Sequence, residues 1–443
     1  MTKTLKITDY GMDGKGIAHE NGKTLFLSNV LLDEEVVLDN DQQPKVVKQS
    51  SHRVQPECPY YLKCGGCNIG CMDKQEQQKY KTKYVQNCFA KYKIELPQKI
   101  EYFSKYQMFY RNKISFGIRR VNDKNIIGLF EPNTHNIIEV NECQIVDKRN
   151  KKLLDILREY LALDDVHGFD EQNNTGNIRN IVVRFCERGI LLCVVGVKEA
   201  PLHLNELYAS LVKEFKTVGL SFCKNKNMRT ILSTDIIYLY GTKDIIVNKQ
   251  GLKVPVNIGS FVQVNDEISM QLYEYVTEQC AGDNIVFDLY SGAGLMTAML
   301  AQRSKIVFGI ESNLHAVNAS TKLQQQNNIK NATNIWGKVE EVFPSVLNES
   351  IRDKKFIYRN KPLDLNNNLV CVIDPPRKGC DAIVLNTILQ SGIDKIVYIS
   401  CNPLTLARDV NILSKNYIIK NIKLFDMFCQ TSHIETVVVL EHK

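Results

Sequence analysis

Residues 284–311, NIVFDLYSGAGLMTAMLAQRSKIVFGIE, read as a strand, a glycine turn, a helix and a second strand. Asp288, Ser291, Gly292 and Gly294 fall where the first strand turns into the helix, and glycines there let the backbone approach a ligand closely. The second strand, KIVFGIE, ends on Glu311, a carboxylate placed to hydrogen-bond ribose hydroxyls of an adenosine-type ligand. Together these pieces form one nucleoside-binding half of an α/β sheet.

Outward from this half, short apolar strands alternate with helical stretches. LVCVIDPP, DKIVYISC and HIETVVVLE continue the pattern to the end of the chain, and such alternation predicts a largely parallel sheet covered by helices. A dinucleotide fingerprint requires a third glycine where this chain has Thr297, which favours S-adenosylmethionine over a nicotinamide cofactor. Two further strand ends carry unusual residues: Asp374, Pro375, Pro376 and Arg377 at one, Cys401, Asn402 and Pro403 at the other. Ligands of open α/β sheets bind along the carboxyl edge, so these groups face one pocket. Glu435, at the start of the last strand, reaches the same edge if that strand runs antiparallel.

DLYSGAG, GIE, DPPRKG, SCNP and HIETV, in this order, with FVQVN at 261–265 before them, resemble the RNA uracil-5-methyltransferases. The resemblance implies a Rossmann-like class I S-adenosylmethionine-dependent methyltransferase domain. It further implies that Cys401 is a nucleophile, that Glu435 is a general base, and that Gln263, Tyr290, Glu311 and Asp374 contact the cofactor. The chemistry needs these types. Carbon 5 of uracil is too weak a nucleophile to take a methyl group until a thiolate adds at carbon 6. A base must then remove the carbon 5 proton so that the thiolate can leave. His433 reads as a neighbour of Glu435. The chain departs from some relatives at Leu295, after the glycine turn, and at Lys338.

Fourteen cysteines without an export signal argue against a disulfide framework. Cys58, Cys64 and Cys67 form C-x5-C-x2-C, with Cys71 close behind, a spacing that suits zinc or an iron–sulfur cluster. Relatives that modify large ribosomal RNA resemble this chain in having three clustered cysteines and one distant one around four irons. That implies a [4Fe–4S] cluster on Cys58, Cys64, Cys67 and Cys143, with Cys71 a spare thiol and zinc as the alternative.

Residues 1–52 show glycine-punctuated alternating runs and resemble TRAM, an OB-like RNA-binding β-barrel. Residues 53–270 read as a central α+β domain holding the cysteines, and 271–443 as the catalytic domain. Tyr110, Arg111, Lys113 and Phe116 in YRNKISFG offer stacking and phosphate contacts or, equally, a strand with buried aromatics. A net charge of +7 is compatible with RNA. No apolar run approaches the ~20 residues of a membrane helix, so a cytoplasmic, membrane-free protein is expected; a monomer is compatible with the sequence. The expected substrate is a uridine of 23S ribosomal RNA, flipped out of its stack. The T-loop uridine of transfer RNA is the alternative, and a non-catalytic RNA-binding protein is the competing class.

Overall fold

The computed structural model describes all residues except 1–3, 42, 106–107, 228, 354–355, 359–360 and 364–367, with side chains at 348–367 also left aside. The polar stretch NKPLDLNNN at 360–368, whose composition predicts a surface loop, lies for the most part outside the described residues.

The last third is built on an eight-stranded sheet. In spatial order its strands are Ala332–Trp336, Ser304–Glu311, Gly282–Leu289, Leu369–Ile373, Lys395–Ser400, Glu435–His442, Tyr417–Phe425 and Glu101–Phe103. The first five are parallel, as buried apolar runs joined by helices require. Glu435–His442 runs antiparallel to both of its neighbours. Apolar cores cover both faces, one around Phe287, Phe308 and Phe343 and the other around Val286, Val307 and Val397. This is the α/β Rossmann-like methyltransferase fold. The eighth strand comes from far upstream, Glu101–Phe103 pairing parallel with Lys423–Phe425. The helix Lys74–Ala90, capped by the Asp73 carboxylate on Glu76 N, also belongs here, because its Val85, Cys88 and Phe89 are buried against this sheet.

The central region holds a seven-stranded mixed sheet in which only Gly189–Gly196 and Val218–Lys224 pair in parallel. The helices Asn150–Leu161 and Leu204–Glu214 bury Leu153, Leu157, Leu207 and Leu211 against one of its faces. Its other face meets the catalytic region through Val182, Cys193 and Val195, packed with Ala298 and Met299 of the helix that follows the glycine turn. Strands lying between Leu5 and Lys48 form two three-stranded sheets, antiparallel throughout, around Leu5, Ile7, Ala18, Val30 and Val36. Among the described residues, no helix is long and apolar enough to cross a membrane.

Candidate active site

Sheet register assembles the catalytic edge. Ser400 faces Thr436 across the antiparallel pair, so Cys401, just beyond the Lys395–Ser400 strand, comes beside Glu435 on the neighbouring one. Asp374 follows the parallel strand Leu369–Ile373, and its N–H donates to Leu289 O (3.3 Å), joining it to the strand that carries the glycine turn. Asn402 caps the next helix on Leu404 N and also donates through Nδ2 to Arg377 O (3.0 Å), so the DPPR and CNP loops lock together.

The electrostatics of this edge are dominated by buried acids. Burial pushes Asp374 up to about 7, and burial followed by repulsion from Asp374 pushes Glu435 up to about 8, with Arg377 opposing. Asp288, buried beneath the turn, is raised to about 7 by desolvation even though Thr297 Oγ1 donates to it at 2.6 Å. The Cys401 thiol is pushed up to about 11 by burial and then by Glu435; the nearby Arg377 guanidinium pulls the other way. Carboxylates gathered around one counter-charge favour a cationic ligand, and a sulfonium methyl donor meets that demand.

The glycine turn is fixed by close approach. Gly294 has φ +81°, and a Cβ there would lie 1.8 Å from Ser320 Oγ. Glu311 ties the turn to the next strand, accepting from Gly292 N at 3.0 Å and from Asn313 N at 2.6 Å. The carbonyl of Gln263 accepts from Asn112 Nδ2 (3.0 Å), and its side chain is among the groups that act on the Tyr273 phenol. Tyr290 has φ +64°, and its phenol is raised by burial and then by Cys380. Cys401, Glu435 and Asp374 therefore share one edge, with Glu311 and Tyr290 around the turn and Gln263 entering from the loop before the helix Asp266–Gln279. The sequence reading gave no role to Tyr273, whose phenol is raised by burial and by Asp374, Glu435 and Asp288; nothing in its helix marks it out. Arg377 stood in the quoted DPPR, yet only the fold shows that it faces Cys401.

A second group of thiols lies elsewhere. Cys58, Cys64, Cys67 and Cys143 line one cavity of about 320 Å³, walled also by Tyr60, Tyr61 and Gln430. Burial raises Cys67 to about 12 and Cys143 to about 11, and neighbouring thiols add to both shifts. Among the described residues, no three His, Cys, Asp or Glu side chains gather tightly enough to hold a metal ion, so these four thiols border a shared space rather than a point. Cys71 is outside this lining, buried with Tyr10, Leu31 and Met72.

A sheet edge of this form, with a glycine-turn cofactor crevice, defines an S-adenosylmethionine-dependent methyltransferase. Residues 190–443 match the family described as tRNA (Uracil-5-)-methyltransferase. An uncharacterised RNA methyltransferase of Clostridium tetani is 32% identical over 100% of this chain and 96% of its own length. One from Listeria monocytogenes is 31% identical over 98% and 96%. The crystal structure of Pyrococcus abyssi tRNA (uracil-54, C5)-methyltransferase, in complex with S-adenosyl-L-homocysteine, superposes with a TM-score of 0.77 at 21% identity, covering 98% of this chain and 99% of that one. The chain belongs to the tRNA (uracil-5-)-methyltransferase family, and it is an S-adenosylmethionine-dependent RNA uracil-5-methyltransferase.

Proposed function

We propose that the protein methylates carbon 5 of a uridine in 23S ribosomal RNA through a covalent bond between Cys401 and carbon 6. The observation that carries the mechanism is the Ser400–Thr436 register, which brings thiol and carboxylate to one rung of the sheet. S-adenosylmethionine supplies an electrophilic methyl group; Gln263, Tyr290, Glu311 and Asp374 are the residues proposed to hold it.

In the resting site Cys401 is a thiol, since its pKa lies near 11. Attack requires the thiolate, and the Arg377 guanidinium is the counter-charge that makes it accessible. The Cys401 sulfur then bonds to carbon 6, and the electron pair of the 5,6 double bond moves onto carbon 5, which takes the methyl group. Glu435 removes the proton from carbon 5, and the released pair re-forms the double bond and expels the thiolate. Glu435 must be ionised for this. A value near 8 makes the step faster as pH rises, and a cation beside Asp374 and Glu435 lowers both values.

The ribosomal assignment rests on the cysteine-lined cavity together with the small-sheet module at residues 1–52, proposed to be a TRAM-like barrel ahead of a central domain at 53–270 and a catalytic domain at 271–443. Four thiols facing one cavity, of which Cys58, Cys67 and Cys143 are raised by burial and by thiol neighbours, suit the dispersed charge of a [4Fe–4S] cluster better than a single zinc ion. Cys58, Cys64, Cys67 and Cys143 would hold it. Its role would be structural, because methyl transfer needs no electron.

The second reading, methylation of a transfer RNA uridine, is favoured by the description of the family and by the activity of the Pyrococcus abyssi enzyme. Mapping 5-methyluridine in ribosomal and transfer RNA from cells with and without the gene decides between them. Loss from 23S ribosomal RNA alone is expected; loss from transfer RNA alone contradicts the ribosomal assignment.

A further inference from the structure

We infer that Asn68, one residue beyond the third clustered cysteine, is a positioning residue for the catalytic base: it holds the turn 426–434 that delivers Glu435 to the sheet edge. The inference rests on Glu435 being that base.

Beyond the strand, the turn has little regular structure of its own to fix it, and much of its restraint comes from residues 68–110. Asn68 N and Ile69 N both donate to Gln430 O, at 3.2 and 3.3 Å. Ser432 N donates to Asn68 Oδ1 at 2.8 Å, and Asn68 Nδ2 donates to Ser432 Oγ at 3.0 Å. The same Nδ2 donates to Asp13 O at 2.9 Å. One amide therefore joins the N-terminal module, the cysteine segment and the turn before the base.

Neighbouring contacts point the same way. Gln77 and Gln430 exchange two hydrogen bonds, Gln430 N to Gln77 Oε1 and Gln77 Nε2 to Gln430 Oε1, both 3.2 Å. Lys81 Nζ, buried on the helix Lys74–Ala90, reaches Asp426 Oδ1 at 2.5 Å and Phe428 O at 3.1 Å. Tyr110 OH donates to Cys429 O at 3.0 Å. Gln430 itself has φ +70°, a conformation that a non-glycine residue keeps only where its surroundings enforce it. Gln430 also walls the cavity lined by Cys67, so a shift of the cysteine segment is felt in the turn directly.

A misplaced base has a distinctive signature. Removing the carbon 5 proton follows methyl transfer, so its failure strands a methylated RNA still bonded to Cys401. A defect in folding or in cofactor binding lowers this species along with product.

The test uses the full-length protein, S-adenosylmethionine with a tritiated methyl group, and total RNA from cells lacking the gene. Label migrating with protein under denaturing conditions reports the methylated adduct; label in free RNA reports product. Asn68→Ala is expected to lower turnover about tenfold, a fraction of the roughly 10²–10⁴ that a general base supplies, and to raise the ratio of adduct to product. The KM for cofactor stays within about twofold, as expected when a lost interaction is made only in the transition state. Asn68→Asp keeps the acceptor for Ser432 N but loses the donor to Asp13 O, so its turnover is expected to lie between Asn68→Ala and wild type. Should Asn68→Ala not fold, Gln77→Leu tests the turn from its other contact, with the same expectation.

Wild-type turnover in Asn68→Ala overturns the inference. So does a loss of turnover in which adduct and product fall together. A Cys401→Ala protein that still methylates RNA instead removes the reading on which the inference rests, a separate failure.

Discussion

Two regions of this molecule present cysteine, and they are built in opposite ways. Cys401 stands alone at a strand end, its position set by backbone register and its charge balanced by Arg377 against Asp374 and Glu435. Cys58, Cys64, Cys67 and Cys143 stand together on irregular loops, facing a cavity walled by aromatic rings and one another. Burial is the first cause that raises Cys401 and, in the second group, Cys58, Cys67 and Cys143. At Cys401 the Arg377 guanidinium is the largest influence that opposes the rise, whereas at Cys67 the Arg111 guanidinium opposes it only after three neighbouring thiols have added to it, so the second group suits the shared charge of the proposed cluster rather than one free thiolate. What a cysteine can do is thus decided by which counter-charge its scaffold brings.

The largest expected effect breaks the comparison at the catalytic end. Cys401→Ala should lower methylation by at least about 10⁴-fold while leaving cofactor binding intact, as removal of a covalent nucleophile does. Steady-state methyl incorporation, with calorimetry for the cofactor, checks both halves. Full turnover in the variant would reduce Cys401 to a packing residue.

Next comes Glu435→Gln, expected to cost on the order of 10²–10³-fold. Wild-type turnover should rise with pH as Glu435, raised to about 8, ionises, and the variant should lose that component and keep only the rise that belongs to the Cys401 thiol, raised to about 11. A flat wild-type profile between pH 6 and pH 9 would count against Glu435 as the base, with the window set about one unit either side of its raised value.

Gly294→Ala sharpens the contrast between a site set by regular structure and one set by loops. Its Cβ would meet Ser320 Oγ at 1.8 Å from a φ of +81°. A loss of roughly 3 kcal/mol of stability is expected from the overlap and the left-handed backbone. Thermal melting and cofactor affinity should both fall; an unchanged melting temperature would mean that the turn yields freely.

The smallest catalytic effect belongs to the four-thiol region. Cys67→Ser should lower iron content and melting temperature, yet change the chemical step by less than about tenfold, since the cluster is proposed to stabilise rather than react. Anaerobic absorbance near 400 nm, metal analysis and single-turnover rates test this together. Zinc in place of iron would overturn the cluster and leave the catalytic edge untouched.

Much of the catalytic edge was legible because its motifs sit at strand ends, where a parallel sheet converts separate segments into neighbours. The strand–turn–helix at 284–301 and the acid Glu311 needed only local pattern, and Glu435 needed one condition, an antiparallel last strand, which the fold meets. The short strand Glu101–Phe103 was not legible as part of the catalytic sheet, since three residues carry no period and the partner lies more than 300 residues on. Nor was the helix Lys74–Ala90, whose polar Lys/Gln pattern hides the face formed by Val85, Cys88 and Phe89. Tyr273 and the turn 426–434 owe their places to tertiary contacts that no local spacing records.

The most direct test of the central claim is to offer the enzyme RNA in which the target uridine is 5-fluorouridine, with S-adenosylmethionine present. Fluorine at carbon 5 cannot be removed as a proton, so the adduct cannot break down through Glu435. Covalent catalysis by Cys401 predicts a denaturation-resistant protein–RNA complex whose digested peptide carries the nucleotide on that residue. An adduct on another residue, or none under conditions where ordinary RNA is methylated, would contradict it.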